Sequence, residues 1–375
     1  MTVHDLGRRS ELDDIAKCCV AEHQAAPCAA VASAFRTAKG WSVGVGAYGR
    51  LSPNGQEATP QTIFDLASLT KPFAALVLAR LVRGKLVDWQ MPLGVPLRDV
   101  HGTPSAEVPL ALFAAHRAGL DGHRPLYAPL ESGRSMDRFI AFREAANARR
   151  SECQGPAPED GFQAYYSDLG YLLLGEAMAR ASGTRTDDLI WAHVCEPLGL
   201  GVRSVRQHKR LDSEFMSAVA PTEYISWRGL VRGHVHDENA WALGGEGCCG
   251  HAGLFGTARD VAVLGASILD AHAGRLSGWL LPEQIDPLLR IRKGSTWRAG
   301  FDGKSEQGSS AGDRCSIDTF GHLGFTGTSI WIDPVHEVVV SLLTNRVHPR
   351  RDHLAIKKSR PVVHNALFQW GIEQR

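Results

Sequence analysis

Residues 69–83 run Leu-Thr-Lys-Pro-Phe-Ala-Ala-Leu-Val-Leu-Ala-Arg-Leu-Val-Arg and are apolar almost all round. A helix with no polar stripe has no face to give to water, so other elements must enclose it. Pro72 is tolerated only near a helix start, and Gly84 suits the position just past the end. A chain that buries such a helix needs a large core. This one has 375 residues, of which 44% are hydrophobic and 22% charged, so the material is present and disorder is excluded. Lys plus Arg number 41 against 40 for Asp plus Glu. That balance argues against a protein that coats nucleic acid or an anionic membrane.

The flanking segments read differently. Residues 28–36 and 41–49 are short apolar runs around Thr37-Ala38-Lys39-Gly40, the pattern of a β-hairpin. Residues 100–165 are rich in Pro, Gly and His and read as loops with short helices. Residues 169–182 read as a helix closed by Gly183, and 186–195 as another before Pro197. Thr257 with Asp260 resembles a capping box opening a helix to about residue 272. Residues 326–332 and 337–345 flank Asp333-Pro334-Val335-His336 as a second hairpin, and 361–372 form a terminal amphipathic helix. Strands at both ends with helices between predict an α/β (α+β) fold. A mostly antiparallel sheet from 1–66 together with 290–375 is expected to carry flanking helices. An all-helical region spans 67–289, and the active site is expected between the two.

Three segments carry candidate chemistry. Ser68 and Lys71, at i and i+3, share one face at the head of the apolar helix. There the free N–H groups and the positive dipole end favour a developing alkoxide. An ammonium in an apolar site has reason to lose its proton, which would make Lys71 a base or proton relay for the serine. Tyr166-Ser167-Asp168 stands directly before the 169–182 helix, with Asp168 or Ser167 as its N-cap. A positive helix end beside Tyr166 predicts a phenolate-like hydroxyl. Gly321-His322-Leu323-Gly324-Phe325-Thr326-Gly327-Thr328-Ser329 enters a strand, where glycines admit a close substrate or backbone.

In this order the three segments resemble the serine β-lactamase and penicillin-binding-protein superfamily, on the side of class C β-lactamases and their related esterases. Further stretches share the resemblance: His116-Arg117-Ala118-Gly119-Leu120, Ala220-Pro221-Thr222-Glu223, Val235-His236-Asp237-Glu238-Asn239-Ala240, Gly250-His251-Ala252-Gly253-Leu254-Phe255 and Thr344-Asn345-Arg346-Val347-His348-Pro349. The resemblance implies a β-lactamase/transpeptidase-like fold and a serine hydrolase acting through an acyl-enzyme on a small ester, amide or lactam, with no cofactor. It implies Ser68 as nucleophile, Lys71 as its proton partner and Tyr166 as proton shuttle. The N–H groups of Ser68 and Phe325 would form the oxyanion hole, and Asp168, His322 and Gly324 would meet the substrate. Asp168 stands where the family often has Asn. A D,D-peptidase or peptidoglycan-fragment hydrolase, an acyltransferase, and a penicillin-binding-like sensor without turnover are the alternatives.

Other patterns lack a frame. Gly44-Val45-Gly46-Ala47-Tyr48-Gly49 is followed by Leu51-Ser52-Pro53 and not by a helix, which argues against a dinucleotide site. Gly308-Ser309-Ser310-Ala311-Gly312 has neither the strand nor the helix of a nucleophile elbow. His234-Val235-His236-Asp237 has no second ligand cluster, so no metal is expected. The basic stretch 348–360 reads as a solvated rim. No stretch approaches the roughly 20 apolar residues of a membrane span. No secretory h-region is visible, so the expectation is a cytoplasmic protein with reduced cysteines. Its oligomeric state is not legible.

His322 stands where β-lactamases usually carry Lys, although His is common among the family's esterases, and Leu323 replaces the usual Thr; together these remove an ammonium and a hydroxyl that would hold a substrate carboxylate. Restoring both through His322→Lys with Leu323→Thr is expected to raise nitrocefin turnover; an unchanged rate counts against this account of the two positions.

Overall fold

The computed structural model covers residues 1–375. Its main sheet contains β1 (Val3–Arg8), β2 (Cys28–Thr37), β3 (Gly40–Gly49), β4 (Asp302–Gly303), β5 (Phe320–Leu323), β6 (Ser329–Asp333) and β7 (Val338–Thr344). The strand order is β1-β3-β2-β7-β6-β5-β4. Only β1 runs parallel to its neighbour. The other pairs are antiparallel, with Cys28 opposite Gly49, Thr344 opposite Ala29, and Gly321 opposite Trp331. Both ends of the chain thus meet in mid-sheet at β2 and β7. This is the α/β fold expected, with both hairpins present. β6 starts at Ser329 and not at 326, because Thr326–Thr328 form a turn that grips another segment. β1 went unread because its sequence, Val-His-Asp-Leu-Gly-Arg, is mostly polar and exposed, as suits an edge strand.

Side-chain alternation divides the core between the sheet's two faces. On β2, Ala30, Ala32 and Ala34 join the main core with Val339, Leu343, Ile330 and Ile332. Ala29, Val31 and Phe35 join a second core with Val338, Val340, Leu342 and Trp331. Burial on both faces is why these strands read as continuous apolar runs. Helix α1 (Ser10–Lys17) and the C-terminal helix α5 (Ile356–Glu373) supply Leu12, Ala16, Leu367, Phe368 and Trp370 to the second core. Helix α4 (Ala258–His272) covers the other face, capped by Thr257, whose side chain accepts the Asp260 N–H. The Gly-x-Gly pattern in β3 serves this packing. A Cβ on Gly44 would lie 2.5 Å from the Trp370 ring, and one on Gly46 2.3 Å from the backbone of Leu12.

The apolar run forms α2 (Thr70–Arg83), entered through a single 3₁₀ turn over Ala67–Leu69. Helix α3 (Asp168–Ser182), the Pro282–Leu289 helix and the Trp191–Cys195 turn pack round α2. α3 ends at Gly183 with φ of 67°. The helix read over 186–195 runs on to Leu198 and widens over Trp191–Cys195. α5 starts five residues before the expected Pro361, which lies inside it. Arg360, 8% exposed, donates to the Gly324 and Thr328 carbonyls at 2.9 Å. Pro361, which cannot make the helical backbone bond, thus follows directly on a residue anchored to the turn after β5.

The close approach of α1 to β3 predicts that Gly46→Ala costs about 1–3 kcal/mol through overpacking. The expected reading is a lower urea midpoint with unchanged m-value; a wild-type midpoint contradicts it.

Candidate active site

The segment carrying Ser68 is fixed from three sides. Phe64 and Asp65 pair with Gly256 and Phe255, and the Leu66 N–H donates to the Leu254 carbonyl at 2.9 Å. On the far side, the Thr326 and Thr328 hydroxyls donate to the Asp65 and Leu66 carbonyls at 2.8 and 3.0 Å. Ala67 then takes φ of 49°, a left-handed conformation uncommon outside glycine, held by its N–H on the Asp65 carboxylate at 2.8 Å. The turn places Ser68 at the head of α2, half-buried and reachable.

Four side chains converge there. Lys71 Nζ donates to Ser68 Oγ at 2.9 Å, to Asp168 Oδ1 at 2.6 Å and to the His251 carbonyl at 3.3 Å. Tyr166 Oη lies 2.8 Å from Ser68 Oγ and 3.2 Å from Asp168 Oδ1. Lys71 has no exposed surface, and the Tyr166 and Tyr171 rings face its ammonium at 4.8 and 5.8 Å. Burial pulls the Lys71 amine below its ordinary value, while Asp168 in contact pulls the other way.

Tyr166 departs from expectation. Burial, reinforced by the Asp168 charge, raises its phenol well above the ordinary value, so it is a neutral hydroxyl and not a phenolate. Desolvation and the adjacent carboxylate both oppose the phenolate that a positive helix end would favour. The cap itself is Ser167, whose Oγ accepts the Gly170 N–H at 3.1 Å and donates to the Asp121 carbonyl at 2.6 Å. The Ser167 N–H donates to His116 Nδ1 at 3.1 Å. Burial keeps that imidazole well below its ordinary value and therefore neutral, as an acceptor must be. His116, Trp297 and His322 pack round the Tyr166 ring at centroid distances of 4.9, 5.2 and 6.1 Å.

Ser68 opens into a cleft of about 260 Å³ that also touches Tyr127, Asp168, Asp237, Glu238, Phe325 and Arg351. A shallower hollow holds Tyr165, Tyr166 and Gly122, and shares His123 and Asp168 with the first. A larger hollow of about 950 Å³ beside Trp89, Leu289 and Arg298 contains none of the motif residues. Chemistry, not size, locates the site. The Ser68 and Phe325 N–H groups have no acceptor within the protein.

Two residues expected at the substrate are enclosed beside the cleft and do not line it. His322 is 1% exposed, and its Nδ1 faces the Leu323 carbonyl at 2.8 Å. Burial, with Lys71 nearby, pulls its imidazole down to about 3. Gly324 is also enclosed: a Cβ there would lie 1.9 Å from Thr328 Oγ1 and 2.8 Å from the Leu66 carbonyl. Its glycine admits backbone, not substrate.

The wall contains residues that motif reading left without a role. His251, whose carbonyl receives Lys71, is anchored through Nε2 to Asp237 Oδ1 at 2.9 Å. Burial works against the Asp237 carboxylate, but His251, the Ala240 N–H and His123 together hold the group below its ordinary value. His236 stacks on Phe325 with centroids 5.7 Å apart and meets Glu223 Oε2 at 2.9 Å. Arg351 binds Glu223 at 2.6 Å and Glu238 at 2.5 Å. Every one of these except Arg351 lies in a stretch that carried the family resemblance, but no spacing rule links residue 71 to residue 251.

The sequence profile of the Beta-lactamase family matches residues 16–361, and the chain belongs to that family as one of its serine hydrolases. An N-acetylmuramyl-L-alanine amidase of Bacillus subtilis (strain 168) is 26% identical over 326 residues, covering 77% of this chain and 69% of the relative. EstCE1, described as a hydrolase with promiscuous acyltransferase activity, superposes with a TM-score of 0.68 at 18% identity, over 94% of this chain and 97% of that one. A class C β-lactamase from Rhodobacter sphaeroides superposes with a TM-score of 0.66 at 16% identity, over 96% and 99%. No helix is long and apolar enough to cross a membrane.

Because Ser167 caps α3 and anchors the Tyr166 turn, Ser167→Ala is expected to cost about 1–2 kcal/mol in thermal unfolding, the range of a lost helix cap. It should also slow ester hydrolysis, because Tyr166 loses its fixed neighbour; unchanged stability and rate would remove Ser167 from this role.

Proposed function

We propose that the chain hydrolyses a small ester or amide through an acyl-enzyme on Ser68, and that it stands on the class C-related, esterase-like branch of its family. The observation that carries this reading is one contact set. Ser68 Oγ lies within 2.9 Å of Lys71 Nζ and 2.8 Å of Tyr166 Oη while facing an open cleft. A serine hydroxyl with a phenol and a lysine nitrogen both in hydrogen-bond reach is an arrangement suited to acyl transfer. Ser68 attacks the carbonyl, and the free N–H groups of Ser68 and Phe325 receive the oxyanion. Tyr166 passes a proton to the leaving group, and water then attacks the acyl-serine by the reverse route. The reading keeps a sheet domain of 1–66 with 290–375 and a helical domain of 67–289, except that α4, which packs on the sheet, goes with the sheet domain. Ser68 and Asp168 would then face Phe325 and Arg351 across the boundary.

The wall charges favour substrates without a carboxylate. Each cation at the cleft already has a partner: Lys71 has Asp168, and Arg351 has Glu223 and Glu238. His322, where β-lactamases usually carry Lys, is enclosed and neutral. An incoming carboxylate would meet Asp237 and Glu238 with no free ammonium to receive it. The relatives' names, an amidase and a hydrolase with acyltransferase activity, agree with an acyl-transfer reading.

Ser68→Ala is expected to lower p-nitrophenyl ester hydrolysis at least about 1,000-fold and to abolish labelling by a fluorophosphonate. Far-UV circular dichroism should be unchanged. A fully active variant would end the assignment.

A further inference from the structure

Asp168 has a place in the contact set that neither a substrate contact nor a helix cap accounts for. The cap of α3 is Ser167. Asp168 Oδ1 instead receives Lys71 Nζ at 2.6 Å and stands 3.2 Å from Tyr166 Oη, which is 2.8 Å from Ser68 Oγ. A continuous hydrogen-bond chain therefore runs from serine through phenol to carboxylate. Its middle member is a neutral phenol with one proton to give and a lone pair to accept one. Burial draws the Lys71 amine down overall, and the 2.6 Å contact with Asp168 draws it back toward the ammonium; as an ammonium that nitrogen has no lone pair. The vacancy for another proton is on the carboxylate.

We propose that Asp168 is the terminal proton acceptor for Ser68, reached through Tyr166, and that Lys71 acts as the fixed cation of the pair rather than as the base. This rests on the acyl-enzyme reading above. As the Ser68 Oγ–carbon bond forms, the Oγ proton moves to Tyr166 Oη and the Tyr166 proton moves to Asp168 Oδ1. The carbonyl π electrons move to the oxyanion. On collapse the Asp168 proton returns to Tyr166, and the Tyr166 proton goes to the leaving group as its bond to carbon breaks. Tyr166 is never an anion for longer than the transfer, in keeping with its burial. Asn at this position could position Lys71 but could not take the proton.

The ionisable groups around Asp168 are Lys71 on α2, Tyr166 beside it, His116 behind the phenol, His322 on β5, and His123 and Asp237 across the cleft. His116 and His322 are hydrogen-bonded through Nδ1 to the Ser167 N–H and the Leu323 carbonyl, and neither ring is hydrogen-bonded to Ser68, Tyr166 Oη or Asp168.

The test is the pH dependence of Ser68 modification by a fluorophosphonate, followed by intact mass in the full chain, for wild type, Asp168→Asn and Asp168→Glu. Wild type is expected to stay level through neutral pH, without the alkaline climb that a Lys71 base would give. Asp168→Asn should label at least about 100-fold more slowly at pH 7, the low end of general-base effects, and climb into alkaline pH as Lys71 loses its proton. Asp168→Glu keeps a carboxylate and should keep the wild-type profile shape at reduced rate. Wild-type labelling by Asp168→Asn, or slowing by a constant factor with the profile unchanged, overturns the relay. So does an Asp168→Glu profile that follows Asp168→Asn. Ser68→Ala separates the two levels: if it still labels, the acyl-enzyme reading itself has failed.

Discussion

The arrangement of the whole site depends on a lysine ammonium with no exposed surface. Taking such a charge out of water costs several kcal/mol unless it is paired and hydrogen-bonded. Here the compensation comes from residues far apart in sequence: Asp168 at 2.6 Å, Ser68 at 2.9 Å and the His251 carbonyl at 3.3 Å. The fold must hold these in register, because loss of any one leaves a buried donor unpaired. The apolar helix α2 forces Lys71 inside. The polar atoms brought to meet it are the ones that surround Ser68.

The sheet supplies the opposite wall. Strands from both chain ends meet at β2 and β7, which puts the turn after β5 beside the segment before Ser68. Thr326 and Thr328 bind the Asp65 and Leu66 carbonyls directly, so the Phe325 and Ser68 N–H groups are placed by one shared set of hydrogen bonds. Gly324 and Arg360 complete that joint, the first by letting the backbone close in and the second by binding two carbonyls of the turn. A residue that looked substrate-binding by motif is structural for this reason.

Much of this was legible before any coordinates. Short apolar runs bounded by turn residues, the all-apolar helix and the Thr257 capping signal located both hairpins, α2, α3 and α4 to within a few residues, because burial and capping write themselves into side-chain type. Ser68, Lys71, Tyr166 and Asp168 were legible as candidates because catalytic side chains cluster at helix starts with recognisable neighbours. The start of α5 was missed because Pro361 is a local signal, while the contacts of Arg360 are long-range. The charge state of Tyr166 was missed because a local dipole was visible in sequence and the surrounding desolvation was not.

By itself the sequence determined which residues have the chemistry to attack a carbonyl and which segments must be buried, since both follow from side-chain type and nearest neighbours along the chain. Tertiary structure alone decided that Asp168 contacts both Lys71 and Tyr166, that His322 and Gly324 are enclosed, and that Arg351 is neutralised by two glutamates. Those outcomes depend on which distant groups share a low-dielectric space and on how the proton and charge divide among them. Distances across folded space set that division, and spacing along the chain does not encode them.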